Sequence, residues 1–255
     1  MSGNPVLNDR RFVTIANSDT STGSMTIEGA IQKSLTLFGV LIFGVLLCMS
    51  AFMGAEVSDP GSGYALAALG TLIGGLGGFA VVIMLVFVRP KGTPVKTMGA
   101  YVVFQSLFLS GFTFMMERAY PGIATQAGLV TVGITGSMVA LYTSRAVRVG
   151  PRFNMMVGAF VMTVMFVYVA QLLLWLITGM SIPLIHGSGI IGIAFSGVIV
   201  FIASLTLLSD FHFIEEGARY GYPKHMEWWA AFGLLMSVVW IYVEVLRLIA
   251  KLRDH

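Results

Sequence analysis

Residues 188–210 read SGIIGIAFSGVIVFIASLTLLSD, an apolar run without a charge that closes on a carboxylate, Asp210. About 20 apolar residues in a row cross the hydrocarbon of a bilayer as one helix. Six further runs of that kind lie outside Ser188–Leu208: Ser34–Met53, Tyr64–Val88, Met98–Met116, Ile123–Thr143, Met155–Ile177 and Met226–Ile249. The 255 residues are 56% hydrophobic and 11% charged, with a mean hydropathy of +0.87. Soluble domains carry roughly 25% charged residues, so the composition excludes that class. The short loops leave no room for a separate soluble domain. The sequence therefore predicts an all-α, seven-transmembrane-helix bundle over residues 34–255.

Residues 1–33 are polar and rich in Ser, Thr and Asn. They lack the pattern of a secretory signal and read as a cytoplasmic tail. Within it, Ser24-Met25-Thr26-Ile27-Glu28 resembles a helix cap, and Gly29–Lys33 then enters the first span as an interfacial helix. The net charge of +3 informs through its placement. Arg89, Lys91 and Lys96 separate runs two and three, Arg145, Arg148 and Arg152 separate four and five, and Arg219 and Lys224 separate six and seven. The positive-inside bias puts those loops and the N-terminus in the cytoplasm. Seven crossings then place the tail outside, although it carries Lys251 and Arg253. Gly70, Gly74 and Gly78, four residues apart in run two, read as a face for close helix packing. The single cysteine, Cys48, excludes a disulfide framework and a cysteine metal site.

The residues with chemistry gather in the last two runs. Asp210 ends run six and Glu244 lies well along run seven, in Trp240-Ile241-Tyr242-Val243-Glu244-Val245. A charge at membrane depth is costly, so such residues face the protein interior and mark function. Two neighbouring carboxylates repel when both are ionised and titrate as a pair. Arg89 closes run two on the same side as Asp210 and is expected to form a salt bridge with it. The other reading makes Asp210 a solvated helix-end acid and pairs Glu244 with Arg247 on its own helix. Ser237, Glu244, Arg247 and Lys251, spaced by seven, three and four, share one helical face. Thr206 and Ser196 add a weaker polar stripe on run six. Together the stripes outline a path between the two helices, with a snorkelling last turn as the alternative. His212, Glu215, Glu216 and His225 fall in the connection between these runs, and Trp228 and Trp229 read as interfacial anchors.

Two enzyme classes were weighed on their motifs. Ala194-Phe195-Ser196-Gly197 lacks the first glycine of a serine intramembrane protease, and run seven holds no histidine. Tyr242-Val243-Glu244 lacks the Gly-x-Gly-Asp of a presenilin-like aspartyl protease. The reading is of a protein without catalytic residues or a cofactor.

Several stretches resemble the transmembrane Bax inhibitor motif family, in a prokaryotic branch. They are Pro121-Gly122-Ile123-Ala124-Thr125-Gln126-Ala127 with Thr131, Ser209-Asp210-Phe211-His212-Phe213-Ile214, and Ala231-Phe232-Gly233-Leu234 followed by Ile241–Ile249. The resemblance implies six helices surrounding the seventh, in a bacterial inner (plasma) membrane. It also implies a pH-regulated calcium leak, with Asp210, Glu244 and Arg89 as sensor and gate. Calcium is then the permeant ion, held transiently by Asp210 and Glu244. The bilayer and calcium are the expected partners, and nucleic acid is not one. A non-conducting membrane regulatory protein is the rival function. This chain has Glu244 where the family commonly has Asp, and Gln105 where an acid is frequent. It also separates its two acids by 34 positions (244 − 210), longer than the family's usual interval. A helix seven beginning at Met226 carries Glu244 roughly 27 Å along. The acids then meet only if helix six continues past Asp210 or the start of helix seven lies at the interface.

Overall fold

The computed structural model describes residues 23–87, 95–179, 187 and 189–255. Among these lie seven helices: α1 (Ile27–Ser58), α2 (Ser62–Phe87), α3 (Val95–Ala119), α4 (Ile123–Thr143), α5 (Pro151–Thr178), α6 (Ile190–Arg219) and α7 (Met226–Arg253). Each is long and apolar enough to cross a membrane. The chain is an integral membrane protein, and the seven-helix expectation is met.

Burial identifies the centre. More than half of the apolar stretch of α3 and of α7 is buried, against 44% or less in the other helices. α7 packs on α1, α3, α4 and α6, and Phe232, Leu235, Ile241 and Leu246 along it are shut off from solvent. α2 packs instead on α1 and α3, and α5 on α6. Four helices thus pack their backbones on α7, and α5 reaches it through the Tyr168 side chain.

The small-residue face of α2 explains its place. A Cβ on Gly74 would overlap the backbone of Phe104 and Phe108 on α3, and one on Gly111 of α3 would overlap the backbone of Ala67 on α2. Glycine on both sides lets the two backbones meet directly. At the α3–α4 turn Gly122 adopts φ 81°, a left-handed conformation that favours glycine. The Glu117 carboxylate accepts the Gly122 and Ala124 amides there, at 2.5 and 2.9 Å, which satisfies the open N-terminus of α4.

Two boundaries differ from the sequence reading. α1 starts at Ile27, so the interfacial helix and the first span are one continuous helix. α6 does not end near Asp210; it runs a further nine residues to Arg219. His212, Glu215 and Glu216 therefore belong to α6, and the connection shrinks to Tyr220–His225. Hydropathy falls at Ser209-Asp210, but the backbone stays helical, and Glu215 beyond it finds partners at the C-terminal end of α4. Glu215 takes a two-pronged bond from Arg145, at 2.5 and 3.0 Å, and the Tyr142 hydroxyl. Glu215 raises the Arg145 pKa, through that hydrogen bond first and its charge second. Trp229 is 5% exposed and packs in the core of the bundle, so its ring does not face lipid.

The bundle has two distinct ends. The turns α4–α5 and α6–α7 lie at one, together with the start of α1. The turns α1–α2 and α3–α4 and the C-terminus lie at the other. Arg118 of α3 pairs with Glu56 of α1 there at 2.8 Å. Arg253 donates to the Pro121 carbonyl and Gln126 Oε1, each at 2.9 Å, and Tyr120 donates to Asp254 at 2.6 Å.

Candidate functional site

Continuation of α6 sets the level of Asp210. It lies nine residues before the end of α6, about 13.5 Å along the axis. α7 returns antiparallel from Met226, and Ser237 is eleven residues in, about 16.5 Å. Asp210 is therefore level with Ser237, two turns short of Glu244. The contact agrees: Ser237 Oγ donates to Asp210 Oδ2 at 2.5 Å. Both side chains are buried, Asp210 at 1% exposure and Ser237 at 4%. Next to them Ser209 donates to Asn154 Oδ1 of α5 at 2.9 Å, again fully inside. α6 is thereby tied on one side to α7 and on the other to α5.

Glu244 is 1% exposed and has its own set of donors. Its Oε1 accepts the Tyr168 hydroxyl of α5 at 2.8 Å, Trp240 Nε1 at 3.2 Å and Arg247 Nη1 at 3.3 Å. The Arg247 guanidinium also lies over the Tyr168 and Phe112 rings, a favourable place for a cation. One turn on, Lys251 Nζ donates to Ser196 Oγ at 2.7 Å and to the Gly192 carbonyl at 3.1 Å, both on α6. The pairing of Glu244 with Arg247 on its own helix is thus present.

The face drawn from the spacing of Ser237, Glu244, Arg247 and Lys251 points at α5 and α6, as their partners show. Its acids do not share a site: different groups serve them, about 10.5 Å apart along α7. Thr206 is buried but spends its hydroxyl on the Ala203 carbonyl of its own turn, at 2.6 Å. Gln105 is buried on α3. Arg89 lies outside the described residues. Its expected pairing with Asp210 falls there too, and Asp210 itself lies within α6 and not at its end. Leu85, four residues before Arg89, nevertheless shares a buried cluster with Phe213, three after Asp210.

A second polar centre escaped the sequence reading. Glu227, in the first turn of α7, is 0% exposed. Its Oε1 accepts the Thr26 amide at 3.0 Å and the Thr26 hydroxyl at 3.1 Å. Lys224 Nζ lies 3.0 Å from the same oxygen, and Lys33 pairs with Oε2. Thr26 is the N-cap of α1 and accepts the Gly29 amide. In a capping box the third helical residue is an acid that returns to the cap amide. Here that residue is Gly29, and Glu227 supplies the carboxylate from 201 positions away. A Cβ on Gly29 would occupy the space that the carboxylate fills. Gly23–Thr26 runs beside the α6–α7 turn, with Met25 N to Tyr222 O at 2.6 Å and Lys224 N to Gly23 O at 3.0 Å.

Seven spanning helices with α7 at the centre, and two carboxylates buried among hydroxyl and cationic partners, define a polytopic membrane protein with an ionisable interior. The family model described as Bax inhibitor 1 like matches residues 4–254, and the chain belongs to that family. No curated protein and no solved structure matches the chain.

Proposed function

We propose that this protein is a pH-sensitive leak for calcium or a related cation, controlled along the face where α6 meets α7. The observation that carries the reading is the burial of Asp210 and Glu244, each 1% exposed, on facing helices in a membrane bundle. Ionisable groups so placed mark ion or proton paths. In the closed state Asp210 binds Ser237 and holds α6 against α7. Protonation changes the charge of Asp210 and with it the balance of that contact. Arg89, which follows α2 in the sequence, is the proposed basic partner of the gate. Arg247 and Lys251 line the opposite half of the path with Glu244, and Thr206 lines its α6 side.

Calcium passes as cargo. Carboxylate and hydroxyl oxygens suit it, and single carboxylates at separate levels favour brief stops over tight binding. Among the described residues no three metal-ligating side chains gather, which fits that picture. An aspartyl-type hydrolase would need its two carboxylates across one scissile bond, and these are two helical turns apart. We place the N-terminus in the cytoplasm on the charge of the loops, and the cell is bacterial on the resemblance to the family's prokaryotic branch.

The test is calcium entry into dye-loaded proteoliposomes from pH 5 to 8, comparing wild type with Asp210→Asn, Glu244→Gln and Arg89→Ala. The expected result is a pH-dependent flux that Asp210→Asn flattens and Arg89→Ala raises at rest. Flux equal to that of empty vesicles, with the protein verified as folded, sinks the channel and favours the non-conducting regulatory reading.

A further inference from the structure

At the end of the bundle that carries the basic loops, the ends of α4 and α6 and the segment 147–149 enclose a cleft of about 460 Å³. Arg145, Arg148 and Arg219 face Glu215 and Glu216 across it, with His212 and two tyrosines, Tyr142 and Tyr220. Three cations against two anions leave one positive charge with His212 neutral. One acid is already engaged, and the other has a partner only when His212 is protonated. Glu215 binds Arg145 and Tyr142, and Glu216 lies 3.8 Å from His212 Nε2. Arg148 and Arg219 have no carboxylate partner among the described residues, and both are exposed. Arg145 holds φ 57°, a left-handed conformation that is strained for a residue with a Cβ. It is the residue after the C-cap of α4, where a left-handed turn ends many helices, and the bond to Glu215 fixes its side chain in the cleft.

We propose that this cleft binds a phosphate group, with the forks of Arg148 and Arg219 as donors and Arg145 as a fixed third charge. Guanidinium groups match phosphate oxygens two at a time. The cleft lies where α4 and α6 leave the spanning region, and tyrosines at that level mark the headgroup layer. Basic pockets between spanning helices hold anionic headgroups in the same way. A lipid headgroup is therefore the favoured source, and free phosphate offers the same chemistry.

The experiment follows the melting temperature of the full chain in an uncharged detergent. Dioctanoyl phosphatidic acid, dioctanoyl phosphatidylcholine and inorganic phosphate are each titrated. Phosphatidic acid should raise the melting temperature to a plateau, and phosphatidylcholine should not. The double variant Arg148→Ala/Arg219→Ala should move the midpoint on the order of tenfold or more, as loss of a charge-assisted bond does. Arg148→Lys/Arg219→Lys should recover part of it, which separates lost binding from lost folding. A plateau with inorganic phosphate at similar concentration identifies phosphate itself as the ligand; a plateau with the lipid alone identifies the headgroup. The absence of any plateau, or an unchanged midpoint in the alanine variant, overturns the site.

Discussion

Ser237 reaches Asp210 through its hydroxyl in a place that solvent does not enter, and Tyr168, Trp240 and Arg247 converge on Glu244 Oε1 at a part-buried level. The cost of removing a donor depends on how fully its bond is shut off from solvent, and the Ser237 bond is the more enclosed of the two. Ser237→Ala withdraws a bond to a buried carboxylate and should cost about 1–3 kcal/mol. Tyr168→Phe leaves Glu244 with Trp240 and Arg247 and should cost about 1 kcal/mol or less. Thermal unfolding in detergent orders the two, and a larger loss for Tyr168→Phe would contradict the assignment of partners. The proposed gate adds a second readout: Ser237→Ala should shift the pH midpoint of calcium flux, because it changes Asp210's surroundings in the closed state alone. Sequence made both acids visible, since an acid in an apolar run stands out. It did not make their separation visible. The 34-residue interval fits several hairpins, and only the length of α6 decides among them.

Helices meet here through features of unequal legibility. The glycines of α2 were readable from their four-residue spacing, and the structure puts Gly74 on the backbone of α3. Gly74→Ala should force α2 and α3 apart at a cost of roughly 1–3 kcal/mol, the usual penalty of overpacking. Gly99→Ala is the control: its Cβ would enter open space, and alanine gains about 0.5–1 kcal/mol within a helix. Melting temperatures that fall for the first and hold or rise for the second support backbone contact; equal changes argue against it. The fastening of α1 to α7 had no such local signal. Glu227 lies 194 positions from Lys33 and 201 from Thr26, so no spacing within either helix reports it. The one trace was a threonine cap with glycine where a capping box has its acid. Lys33→Ala and Glu227→Gln, combined in a double-mutant cycle, should show a coupling of about 0.5–3 kcal/mol. Coupling near zero would mean that Thr26 and Lys224 alone hold the carboxylate.

Across the whole molecule, the positive charges of the tail were the one departure from the charge rule, and the fold gives Lys251 and Arg253 a different task. Lys251 turns inward to Ser196 and Gly192 of α6, and Arg253 closes the α3–α4 turn through Pro121 and Gln126. Lys251 is thus spent between helices, and Arg253 ties the end of α7 to the α3–α4 turn. α7 has 28 residues, about 42 Å, ample for a bilayer of about 30 Å of hydrocarbon. It crosses fully, and its end sits with the α1–α2 and α3–α4 turns, away from Arg145, Arg148 and Arg219. The orientation proposed from charge then has a sharp consequence. In a Cys48→Ser background, His255→Cys should react with a membrane-impermeant maleimide added outside intact cells, and Ser144→Cys at the α4–α5 turn should react only after lysis. Ser144 is exposed, and His255→Cys leaves the Tyr120–Asp254 bond in place. The reverse pattern would invert the protein in its membrane and turn the arginine cleft to the outer leaflet. Labelling of both sites from one side would contradict the seven crossings themselves, because an odd number of spans must separate residue 255 from the N-terminus and three spans must separate it from residue 144.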